Sequence, residues 1–94
     1  MNQVLIDPGG SEPFQEVFMW IGHYADGTEG MLSADFVIPV ATGERVTRHM
    51  PLMSAQRVAA AEMAPIARNI QSASQHAPRR IVRVELRRFV AETN

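Results

Sequence analysis

The chain has 94 residues, 46% apolar, 20% charged and 6% aromatic, a mixture that suits one small globular domain and leaves too little core for two. With no cysteine, disulfide frameworks, thiolate metal sites and cysteine nucleophiles are excluded. A net charge of −1 argues against a polycation that coats nucleic acid or anionic lipid, and no apolar run approaches the roughly 18 residues of a membrane span.

Residues 1–8 have neither the basic start nor the long apolar stretch of a secretory leader, so a cytoplasmic protein with no membrane partner is expected. A single domain over residues 1–94 is expected to begin with a short strand at 2–6, closed by the turn cluster Asp7-Pro8-Gly9-Gly10. A meander over 14–50 follows. Phe14 to Tyr24 reads as a strand, and Asp26-Gly27 supplies the positive φ of a tight hairpin. From Met31 the pattern alternates, with Leu32, Ala34, Phe36, Ile38 and Val40 on the inward face and Ser33, Asp35 and Val37 on the other. Pro39 suits a strand end, since it cannot donate to a ladder, and residues 41–44 form a second turn before a strand over 45–50.

A helix is expected over 54–76, with Ser54 as N-cap and a stripe of Ala55, Ala59, Met63, Ile66, Ile70, Ala73 and Ala77. Pro65 removes one helical N–H and predicts a kink between Glu62 and Ile66. Residues 79–91 alternate again, placing Val82, Val84, Leu86 and Val90 inward and Ile81, Arg83, Glu85, Arg87 and Phe89 outward. The order β-βββ-α-β predicts a small α+β domain: an antiparallel-rich sheet with one kinked helix packed on one face.

The near-zero charge conceals a division along the chain. Residues 1–44 hold seven acids and no base, while residues 45–94 hold all nine basic residues, every one an arginine, against three acids. Such asymmetry hints at charged partners, but acidic strands lying beside basic strands inside one sheet account for it equally well.

Motifs for chemistry are sparse. His23, His49 and His76 lack the i, i+4 spacing that sets two imidazoles on one helical face for a metal. Gly22 to Gly30 lacks the lysine of a phosphate loop and the alternating oxygens of a calcium loop, and no serine stands in a nucleophile elbow. Asp26, Glu29 and Asp35 gather near one hairpin as a solvated acidic patch, with Arg79 and Arg80 as its basic counterpart. No catalytic residue, metal or cofactor is expected. Phe18, Trp20 and Tyr24 share one face of a strand that is apolar on both sides, and one helix covers only one side of a sheet. That aromatic row, with Arg83 and Arg87 on the last strand, is the expected partner-binding surface.

The expectation is a non-enzymatic protein that occludes or bridges a surface on another protein or protein complex. Small inhibitors carried by mobile elements, anti-CRISPR proteins among them, exemplify that class. A second copy of the chain is a further candidate partner. The alternative is a nucleic-acid-binding module built on the arginine-rich strand at 79–88, with a small enzyme or ligand-binding subunit a distant third.

Overall fold

The computed structural model describes residues 16–90, so the strand expected at 2–6 lies outside the described residues. Strand β1 (Glu16–Tyr24) is the axis, followed by β2 (Glu29–Met31), β3 (Ser33–Pro39), β4 (Arg45–Pro51) and β5 (Met53–Ser54). Two helical pieces, α1 (Arg57–Ala61) and α2 (Ala64–Ala73), and a 3₁₀ turn (Ser74–His76) lead into β6 (Ile81–Val90). The fold is a small α+β domain with antiparallel sheets and one kinked helix, as the pattern of the sequence predicts.

Every strand pair is antiparallel. β6 lies along the whole of one edge of β1, while the other edge is shared by β2 and β5. The alternation from Met31 to Val40, read as one strand, is two strands broken at Leu32. At that point the chain leaves the main sheet, runs out and back as the β3–β4 hairpin, and re-enters at Leu52. Three main-chain bonds close a ring at the branch: Leu32 N–H to Trp20 O (3.0 Å), Leu52 N–H to Leu32 O (2.9 Å) and Trp20 N–H to Leu52 O (2.9 Å). The ring leaves none of the three residues with an unpaired buried amide, the condition for burying a branch point at all. Trp20, Leu32 and Leu52 then turn their side chains into the core with Ala67 and Ile81.

Turn chemistry acts where the sequence places it. Gly27 and Gly43 adopt φ of +90° and +89°, a region that penalises any side chain. Asp26 fixes the first turn by accepting from the Thr28 N–H (2.9 Å) and hydroxyl (2.6 Å).

Pro65 falls in the first turn of α2, where its missing N–H costs nothing, and the helix breaks at Glu62 and Met63, the N-terminal end of the expected interval. The tightened end of α1 has the Met63 N–H donating to Ala60 O at 3.0 Å. The same Ala60 O accepts a second bond, from the Trp20 indole N–H at 2.8 Å. The packing stripe is displaced from the expected one. Ala60 and Ala67 are the fully buried helical residues, supported by Met63, Ala64, Ile66 and Ile70, whereas Ala55, Ala73 and Ala77 are exposed. Small residues at 60 and 67 let the helix sit close on the sheet. Ser54 is not the N-cap: Gln56 holds that position, and the Ser54 hydroxyl instead accepts the Gln56 N–H at 3.1 Å.

The last strand departs from its expected phase at its start. Register shifts between His23 and Tyr24, so that His23 pairs with Arg83 but Tyr24 pairs with Ile81, leaving Val82 as an extra residue. Ile81 is therefore buried and Val82 exposed, the reverse of strict alternation. The side chains of Ser74 and Gln75 hold the bulge from the helix end. Ser74 Oγ accepts the Ile81 N–H (2.9 Å), and Gln75 Nε2 donates to Ile81 O (3.0 Å).

Candidate interaction surface

Cross-strand partners share a face, so the register sorts the main sheet into two sides. The helix side carries Phe18, Trp20, Gly22 and Tyr24 from β1 and Val84 and Leu86 from β6. There the approach at Gly22 is close: a Cβ would stand 2.9 Å from Leu32 Cδ2, so any side chain would have to displace the buried Leu32. The opposite side carries Val17, Met19, Ile21 and His23 from β1 and Arg83, Glu85, Arg87 and Phe89 from β6, with Glu29, Met31 and Met53 from the third row. No helix or strand among the described residues covers this second side.

The aromatic row expected to face outward thus lies on the covered side. Phe18 and Trp20 are buried under the helix, with the Arg57 guanidinium 5.9 Å from the Phe18 ring centre. Tyr24 packs against the core, and the Arg79 guanidinium lies 3.9 Å above its ring. The sequence pattern could not separate the two apolar faces of β1. Phe18, Trp20 and Tyr24 are the larger residues, and the helix takes the larger set. Arg83 and Arg87 do lie on the open side, so the residues expected to form one surface are divided between the two faces.

One end of the open side is a charged network. Arg87 donates from Nη2 to Glu29 Oε1 (3.0 Å) and Glu85 Oε1 (2.8 Å), and from Nη1 to Glu29 Oε2. His23 Nε2 is 2.7 Å from the same Glu85 oxygen, and Arg83 Nη1 stands 3.9 Å from it. Arg87 starts on β6 opposite Met19, yet reaches Glu29 on β2 opposite His23. Its side chain therefore crosses β1 over Ile21, which is 5% exposed although no helix or strand among the described residues covers that side. An aliphatic stem on that path adds apolar cover to the residue beneath it.

The guanidinium of Arg87, and after it the His23 side chain, hold the Glu85 carboxyl down at about 2, against an ordinary value of 4.5. Glu29 is lowered chiefly by Arg87 as well, and the Arg87 guanidinium is itself raised by its two carboxylates. A carboxyl depressed in the folded state contributes stability that is complete above its unfolded value and lost as pH falls through its folded value. The urea midpoint should therefore decline between pH 4.5 and about 2. In Glu85→Gln the midpoint should be lower at pH 7 and its acid decline shallower. Parallel declines in the two proteins would remove Glu85 from the account.

The carboxylate oxygens of Glu29 and Glu85 are occupied by arginine donors, and among the described residues no group of three ligating side chains is placed to hold a metal ion. His49 pairs with Asp35 at 2.8 Å on the exposed hairpin, in the separate two-stranded sheet.

Part of the charge division of the sequence is met inside the molecule. Arg88 pairs with Glu16, Arg87 with Glu29, Arg79 with Asp26 at 3.8 Å, and His49 with Asp35, each contact joining the acidic half to the basic half. Of the patch expected around Asp26, Glu29, Asp35, Arg79 and Arg80, four members are spent in this way, while Arg80 is exposed with its carbonyl bonded to the Ala25 N–H. Comparison with protein-family models, curated proteins and solved structures finds no match.

Proposed function

We propose that the chain is a non-enzymatic interaction protein that occludes or bridges a surface on another protein, using the open side of its sheet. The observation that carries this reading is an apolar area that no helix or strand among the described residues covers. Met31 is 54% exposed and Phe89 38%, beside half-buried Val17, Met19 and Met53. A contiguous apolar area rimmed by charge is the ordinary signature of a contact surface. The adjoining Arg87 network supports selectivity, since its side chains are already held in place and lose little freedom on binding. Nucleic acid is supported less well. Arg79, Arg87 and Arg88 on the arginine-rich segment each face a carboxylate of the same chain, which leaves less free charge to displace counterions.

The test is affinity capture from the native host with the tagged full chain. Met31→Glu and Phe89→Glu should each weaken capture of the same partner by about thirtyfold, the effect of losing a central anchor. Val37→Glu, a control on the exposed outer hairpin, should leave it unchanged. A partner held equally by all three variants overturns the assignment. A partner released steeply by salt and by nuclease returns the nucleic-acid reading.

A further inference from the structure

β6 is a ten-residue strand bonded on one side only, to β1, among the described residues. Long free edges are templates for pairing unless they are blunted. The direction of its free groups follows from the branch ring. Trp20 spends both its N–H and its C=O on the β5 and β2 side, at Leu52 and Leu32. Its partner across the sheet, Leu86, is therefore in a pair without mutual bonds, and the Leu86 main chain points to the outer edge. By alternation Val84 and Arg88 do the same. Ile81 is excluded, because Ser74 and Gln75 already occupy it. Apolar side chains also sit at both ends of this edge, with Val82 50% exposed and Val90 58%.

We infer that β6 pairs with β6 of a second copy, antiparallel, about a two-fold axis at Leu86. Charge selects that register. With Leu86 opposite Leu86 of the second copy, Glu85 faces Arg87, Arg83 faces Phe89, Val82 faces Val90, and Val84 exchanges main-chain bonds with Arg88. A shift of the axis to Glu85 sets Glu85 against Glu85 and Arg83 against Arg87. An axis at Arg87 or Arg88 opposes two arginines directly. An axis at Val84 sets Arg80 against Arg88 and leaves Phe89 and Val90 unmatched. Only Leu86 avoids a like-charge pair along the whole of residues 82–90, and opposite charges directly across a ladder stabilise it where like charges oppose it. The symmetry operation keeps both helices on one side and joins the two open faces on the other. The inference stands apart from the open-face reading and does not depend on it.

The experiment is sedimentation equilibrium of the full chain over a concentration series, with two variants. The wild type should approach twice the chain mass. Arg88→Pro deletes one outward N–H and none that serves β1, so it should retain its far-UV circular dichroism and sediment as a monomer. Because the natural chain has no cysteine, Leu86→Cys should form an intermolecular disulfide under oxidation, the two Cα atoms of such a pair lying about 5.5 Å apart. Arg83→Cys should not. A wild type that is monomeric at every soluble concentration overturns the proposal, whatever occupies the edge. So does a dimer that persists in Arg88→Pro and gives no Leu86→Cys disulfide, since it uses another surface. If Arg88→Pro fails to fold, the presence or absence of that disulfide in the dimer decides.

Discussion

Trp20→Ala is expected to leave the chain largely unfolded at room temperature. Truncating a buried tryptophan costs about 3–5 kcal/mol. Trp20 is 9% exposed at the centre of β1 and touches both the branch ring and the helix. The loss also strips Ala60 O of its indole donor at the point where Pro65 has broken the helix. Domains of this size commonly hold only about 5–15 kcal/mol in total, and a core built largely from alanine on its helical side belongs near the lower figure. Far-UV circular dichroism and urea unfolding measure the effect. Trp20→Phe keeps most of the buried area and should fold, losing roughly 1–2 kcal/mol for the hydrogen bond and the smaller ring. A folded Trp20→Ala with an unchanged midpoint would falsify the placement of the aromatic row beneath the helix.

The second large effect is expected at the branch. Leu52 is fully buried, and Leu52→Ala should cost about 2–5 kcal/mol, the range for leucines whose surroundings cannot collapse. Collapse is restricted here because the Leu52 backbone is fixed on both sides, its N–H to Leu32 and its C=O to Trp20. Amide exchange gives a sharper readout than a midpoint alone. The Trp20, Leu32 and Leu52 amides should be among the slowest in the wild type and should speed up together in Leu52→Ala. On the projecting hairpin, Val37→Ala should stay within about 0.5 kcal/mol of the wild type, as exposed substitutions do. If the three amides respond independently, the ring is not a cooperative unit.

The elements of this fold were legible because their signals are local. Asp26-Gly27 and Pro65 act within a few residues of themselves, and both the hairpin and the helix break occur where they stand. The face assignment was not legible on β1, because Phe18 and Trp20 alternate with Val17, Met19 and Ile21 and period two carries no label for which set meets a helix. Burial decided it through Ala60 and Ala67, whose small size admits the tryptophan, and their pairing with Trp20 spans distant parts of the chain. The exchange of Ile81 and Val82 has a similar origin: the bulge is held by Ser74 and Gln75, residues outside the strand that shows the alternation. The charge division was visible as arithmetic but not as geometry. Which arginine meets which acid depends on register, and only register reveals that Arg87 spans a strand to reach Glu29.

The central position of β1 sets an order on the making of this protein. Its longest partner, β6, is the last element of the described fold to leave the ribosome, whereas β2 follows it at once across a tight hairpin. Until β6 arrives, a nascent or truncated chain presents β1 with one bare edge, an unshielded Ile21, and Glu29 without its arginine. Such distant pairings close slowly, and exposed edges in the interval invite association between chains. Arrest of synthesis or proteolysis ahead of residue 81 therefore does more than shorten the protein. It yields a fragment with the adhesive strand intact and its cover missing, which quality control must recognise or the cell must tolerate as aggregate.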